Sequence, residues 1–107
     1  MPIRNRQHRF NDEETKKAPT EPGAYELLVR SKVVYIGSSS TSIQSRIREH
    51  RKRRDFIPVT HFRCQRVTWE DEAIDLEAKL CSAFKKKNGD KPSLQKRTPV
   101  NRSIFDW

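Results

Sequence analysis

Between Gly23 and Gly37 the chain reads Gly-Ala-Tyr-Glu-Leu-Leu-Val-Arg-Ser-Lys-Val-Val-Tyr-Ile-Gly, and no other stretch constrains the fold as strongly. Two runs rich in Val, Leu, Ile and Tyr flank a polar Arg30-Ser31-Lys32 tip, and a glycine closes each outer end. That is the pattern of two short strands joined by a tight turn. The tip has no Asn-Gly or Asp-Gly pair, so turn chemistry leaves the register open. Folding at residue 30 or 31 brings Tyr25 and Tyr35 to the same end of neighbouring strands, where two phenols sit side by side. A tyrosine-bearing hairpin is also compatible with plain structure, so the residues that follow decide its meaning.

Ser38-Ser39-Ser40-Thr41-Ser42 continues a strand poorly but supplies helix caps. Thr41 with Gln44 fits a capping box, and Ile43 with Ile47 begins an apolar stripe, which predicts a helix over 42–53 ending in Arg51-Lys52-Arg53-Arg54 and stopped by Pro58. Val59 to Val67 reads as a third strand with one buried face. Thr68 is the expected cap of the longest helix, with Glu70, Asp71 and Glu72 in its first turn and Lys85, Lys86 and Lys87 in its last, both suited to the macrodipole. Asn88-Gly89 ends it. The order β-β-α-β-α implies an α/β (α+β) domain, a three-stranded, largely antiparallel sheet flanked by helices. This domain spans 23–95. Residues 1–22, mixed in charge and holding three prolines, are expected to form a basic and polar arm with little regular structure, solvated or laid along phosphates. Residues 96–107 form a basic tail whose Ile104, Phe105 and Trp107 are expected to pack back on the core.

The 107 residues make one small domain. Lys and Arg number 23 against 14 Asp and Glu, a net charge of +9, which favours a polyanionic partner, nucleic acid before membrane surface. No run approaches the roughly 18 apolar residues needed to span a bilayer, and the N-terminus has no apolar signal core, so a cytoplasmic, nucleic-acid-associated protein is expected. Cys64 and Cys81 have neither zinc nor redox spacing and are expected as reduced, buried thiols.

Wound as a helix, Ala73, Ile74, Ala78, Leu80, Cys81 and Phe84 form one apolar arc, and Glu77 lies near its middle. An inward carboxylate loses hydration at a cost of several kcal/mol, which a cation or metal must offset. A structural Glu paired with an arginine is the plain alternative. On the shorter helix Arg46 and His50 are four apart and share the side of Ile43 and Ile47, whereas Arg48, Arg51 and Lys52 project elsewhere.

Gly-Ala-Tyr, then Tyr-Ile-Gly with its tyrosine ten positions on, then Arg46, His50 and Glu77, is an order that resembles the GIY-YIG nuclease family over most of the chain. The resemblance implies a divalent-metal-dependent endonuclease that hydrolyses DNA, double-stranded or branched, using Mg²⁺ or Mn²⁺. It assigns Glu77 to the metal, Arg46 to the phosphate, Tyr25 to the general base and Tyr35 to orienting water or phosphate. His50 would then move protons or bind a neighbouring phosphate. A phenol titrates near pH 10, so this role requires nearby cations to lower Tyr25. Arg48, Arg51, Lys52, Arg53 and Arg54 are read as phosphate contacts. Two departures stand out. Ala24 occupies the middle of the first motif, and the family's asparagine after the last helix is replaced in Pro92-Ser93-Leu94-Gln95 by Gln95, with Asn88 and Asn101 as rivals. One active site per chain implies nicking by one copy or double-strand cleavage by an oligomer. The competing classes are a non-catalytic nucleic-acid-binding module of the same fold and a small structural RNA-binding protein; the latter leaves the inward Glu77 unexplained.

Overall fold

The computed structural model describes residue 3 and residues 5–94. In chain order these form β1 (His8–Arg9), α1 (Asp12–Thr15), β2 (Gly23–Val29), β3 (Lys32–Ser39), α2 (Ile43–Arg51), a 3₁₀ turn (Arg54–Phe56), β4 (His61–Arg66) and α3 (Glu70–Asn88). The sheet is antiparallel and four-stranded, in the order β1-β4-β2-β3. The expected three strands are present, and the fourth, β1, comes from the N-terminal stretch.

That stretch is therefore no structureless arm. His8 and Arg9 pair with Phe62 and His61 of β4. Asn11 caps α1 by accepting from the Glu14 N–H at 2.8 Å. Arg51 ties the segment to α2: its guanidinium reaches the Asp12 carboxylate at 3.0 Å and donates to the Phe10 carbonyl at 2.6 Å. Ile3 is buried against Ala24, Ile36 and Leu80. A two-residue strand carries no readable periodicity, and its stability comes from partners far along the chain.

The hairpin forms with Arg30-Ser31 as its loop, and Arg30 takes the left-handed region at φ 61°. Its register shifts between Leu27 and Leu28, so Leu27 faces Tyr35 while Leu28 faces Val33. Tyr25 consequently lies opposite Gly37, not Tyr35. Against the expectation that a serine run leaves the strand, β3 runs on through Ser38 and Ser39, which pair with Ala24 and Gly23. Ser42 caps α2 in place of Thr41, accepting from the Ser45 N–H at 3.2 Å. Gln44 instead donates to the Lys16 carbonyl at 2.7 Å and so ties α2 to the N-terminal segment. At α3, Glu72 reaches back to accept from the Trp69 N–H at 2.8 Å, moving the helix start one residue beyond Thr68. Gly89, at φ 83°, ends α3 as expected.

Helices cover both faces of the sheet, so β2 is buried on both sides and reads as a continuous rather than alternating apolar run. Tyr25 and Leu27 point toward α2 and join Ile43, Ile47, Phe56, Val59 and Phe62. Ala24 and Ile36 point toward α3 and join Leu80 and Cys81. Past α3, the Leu94 N–H donates to the Val34 carbonyl at 2.8 Å, on the outer edge of β3. The expected packing of residues 96–107 falls outside the described residues.

Candidate active site

Tyr25 is completely buried. Its ring crosses the backbone of its cross-strand neighbour Gly37, where an added Cβ would collide with the phenol. The glycine of the second motif is thus required by the tyrosine of the first. Tyr35, two residues before Gly37 on β3, lies on the same face, and the two phenol rings lie near parallel with centroids 6.4 Å apart.

α2 brings His50 to this pair. Its Nε2 lies 2.7 Å from the Tyr25 hydroxyl, and its ring is 4.8 Å from Tyr35 and 4.4 Å from Phe56. Arg46, one turn earlier on the same side, lies close enough for its charge to act on the same hydroxyl, and its guanidinium reaches Glu49 at 3.3 Å. Either partner of the Tyr25–His50 contact can hold the shared proton, so the pair is built for proton exchange. The other ring nitrogen, Nδ1, is buried without a hydrogen-bond partner. Burial, followed by the charges of Arg46 and Arg53, pushes His50 down to about 3. It is neutral at pH 7, so it is placed to exchange a proton with Tyr25 and not to bind a neighbouring phosphate as a cation. Burial also drives Tyr25 well above the ordinary phenol value, aided by Tyr35 and Glu77 and opposed by Arg46. The expectation that cations lower this phenol fails in the free protein, because desolvation outweighs the one arginine.

Glu77 is carried inward by α3, as its place in the apolar arc predicts, and is 1% exposed. The Ser38 hydroxyl donates to its Oε1. Ser38 is the residue after Gly37, so the second motif sends one neighbour under the Tyr25 ring and the next, on the opposite face, to Glu77. Sequence reasoning missed this serine because it read the serine run only as caps. Among the described residues no three His, Cys, Asp or Glu side chains converge as a metal cage. A single carboxylate beside a hydroxyl is an oxygen-only donor set; it fits Mg²⁺ or Mn²⁺, which keep several water and phosphate ligands, better than zinc.

The basic run divides. Arg48, Lys52, Arg53 and Arg54 are exposed, whereas Arg51 is taken up by Asp12 and Phe10 and is not available as a phosphate contact. Arg53 lies over the Phe56 ring, 5.4 Å from its centroid, and close enough to His50 to depress it, so it belongs to the site's edge. Arg53 is among the phosphate contacts expected from sequence, whereas Phe56 is not legible as a site residue, because the 3₁₀ turn that places it gives no periodic signal. Gln95 and Asn101 lie outside the described residues. The Asn88 side chain donates to the Phe84 carbonyl at 2.9 Å and serves the end of α3. Cys64 and Cys81 are not joined in a disulfide, and burial pushes Cys64 up to about 12, which leaves it unreactive.

No protein-family model and no curated protein match the chain. Solved structures do. The magnesium-bound GIY-YIG N-terminal endonuclease domain of UvrC from Thermotoga maritima superposes with a TM-score of 0.62 at 23% identity, covering 79% of this chain and 99% of that one. An asparagine-to-alanine point mutant of the same domain, bound to its catalytic divalent cation, gives 0.63 at 24%, covering 81% and 100%. A tyrosine-to-phenylalanine mutant gives 0.62 at 23%, covering 81% and 100%. Coverage of this order takes in nearly the whole described domain, and the chain has the fold of a GIY-YIG domain.

Proposed function

We propose that this protein is a GIY-YIG-type endonuclease that hydrolyses phosphodiester bonds in DNA with Mg²⁺ or Mn²⁺ held at Glu77. The observation that carries the reading is the Tyr25 hydroxyl, which lies 2.7 Å from a neutral, buried His50 and feels the charges of Arg46 and Glu77. Three groups from α2 and α3 act on one oxygen of β2. A purely structural tyrosine does not need them.

Arg46 binds the scissile phosphate, with Arg53 at the edge. Both cations depress His50 in the free protein, so a phosphate seated on them offsets that effect and makes Nε2 a better proton acceptor. The substrate thereby arms its own base. Tyr25 passes its proton to His50 Nε2 and takes one from the attacking water, which Tyr35 orients; hydroxide adds at phosphorus as the P–O ester bond breaks, the departing oxygen takes a proton from solvent, and His50 returns its proton to solvent. When bound, the metal supplies Lewis-acid stabilisation of the charge on the phosphate oxygens. One site per chain gives nicks; a double-strand break requires a second copy on the other strand.

Supercoiled plasmid incubated with the protein in Mg²⁺, beside the same mixture in EDTA, tests this reading. The expected product is open-circle DNA in Mg²⁺ only. Retardation of the plasmid without cutting in either condition would assign the chain to the non-catalytic binding modules.

A further inference from the structure

Ile57 is 77% exposed, and it occupies an unusual place. Isolated exposed apolar residues are ordinary, so exposure alone says little. Ile57, however, is followed by exposed Pro58, and this apolar pair stands between two buried anchors, Phe56 and Val59. The turn is closed by the Ile57 N–H donating to the Arg54 carbonyl at 3.1 Å and the Val59 N–H donating to the Phe56 carbonyl at 3.0 Å. Proline stiffens it further. The anchor Phe56 is part of the candidate site, 4.4 Å from His50 and 5.2 Å from Tyr35 by ring centroid. Exposed Lys52, Arg53 and Arg54 precede it. The other large exposed hydrophobic among the described residues, Trp69, is followed instead by Glu70, Asp71 and Glu72, which repel a polyanion.

We infer that Ile57, backed by Pro58, is an apolar wedge that enters a base step beside the scissile phosphate. The inference rests on the endonuclease reading and deepens it. A strand with its phosphate at Arg46 and its neighbours on Arg53 and Arg54 passes this rigid tip, and isoleucine and proline are among the side chains that proteins insert between bases to unstack and kink a duplex. Insertion is easiest where stacking is already weak, so the wedge gives a preference for nicked, mismatched or branched DNA and for flexible pyrimidine–purine steps. The ligand class is thus a duplex with a locally opened step, chosen by deformability and not by base sequence.

The test uses the full chain carrying Glu77→Gln, expected to hold DNA without cutting, with Ca²⁺ in place of Mg²⁺, and nicked duplexes with 2-aminopurine at each successive position around the nick. Anisotropy reports binding and 2-aminopurine emission reports unstacking. The expected result is a several-fold rise in emission at one step, lost on adding Ile57→Ser, restored by Ile57→Leu in its place, and accompanied by less than a fivefold change in affinity. Binding with no rise at any step, or a rise that survives Ile57→Ser, would overturn the wedge and leave the endonuclease reading standing. Absence of DNA binding would overturn both.

Discussion

The two faces of the sheet bury polar groups in opposite ways. Toward α2, the buried groups are neutral: Tyr25 and His50 share a 2.7 Å contact inside an aromatic cluster, with Arg46 and Arg53 at its margin. Toward α3, they are carboxylates. Glu26 is held by its cross-strand neighbour Arg63 at 2.8 Å and by the Ile3 N–H, and Glu77 by the Ser38 hydroxyl. Burial raises Glu26 above the usual carboxylate range even with Arg63 opposing it. The contrast separates roles. A complete ion pair spanning neighbouring strands is a structural solution, whereas a carboxylate whose charge reaches across to the Tyr25 hydroxyl is arranged for chemistry.

The phenols give the largest expected difference within one face. Tyr25→Phe is expected to lower the single-turnover cleavage rate by about 10²–10⁴-fold, the range of a proton-transfer role, and Tyr35→Phe by much less. Rates measured at saturating enzyme check this; equal, small losses would reduce both rings to packing.

Between the carboxylates the ordering should reverse when stability is measured. Glu26→Gln leaves the half-buried Arg63 without its counter-charge and is expected to cost about 2 kcal/mol, read by urea denaturation, with little effect on cleavage per folded molecule. Glu77→Gln is expected to change stability less. If the two variants exchanged these effects, the division of roles would be reversed.

The His50 face also makes a pH prediction. Its folded value, about 3, lies below the unfolded value near 6.5, so over that window the unfolded chain holds the extra proton. The contribution is fully present above about pH 6.5 and is lost as pH falls toward 3, with a slope of up to about 1.4 kcal/mol per pH unit. His50→Gln should flatten the stability profile in this window, a change seen by denaturation at a series of pH values.

The smallest effects separate the arginines. Arg53→Ala with Arg54→Ala should reduce the log-log salt slope of DNA binding by about one to two, since each phosphate left without its cation takes away roughly 0.9. Arg51→Ala should leave the slope unchanged and lower stability by about 1 kcal/mol through its broken bonds to Asp12 and Phe10, compared in parallel salt titrations and melts.

These contrasts also mark what is legible in the chain. The hairpin, the inward Glu77, the shared side of Arg46 and His50 and the Gly89 stop are local patterns, and periodicity or turn chemistry reveals them. The rest depends on distant partners. β1 exists because Phe62 and His61 accept it, and Arg51 is structural because Phe10, 41 residues earlier, lies beside it. The register shift that sets Tyr25 over Gly37 leaves no mark in composition. The direction of the Tyr25 shift depends on burial by side chains from several elements, which outweighs the neighbouring cation.

In the proposed mechanism, groups from both faces of the sheet meet at one phosphate. Single-turnover cleavage of a duplex in Mg²⁺ by the wild-type chain and by Glu77→Gln, with DNA affinity measured alongside, tests this most directly. The expected result is loss of cleavage in the variant with affinity within a few-fold of wild type. Cleavage by Glu77→Gln at near wild-type rate would contradict it.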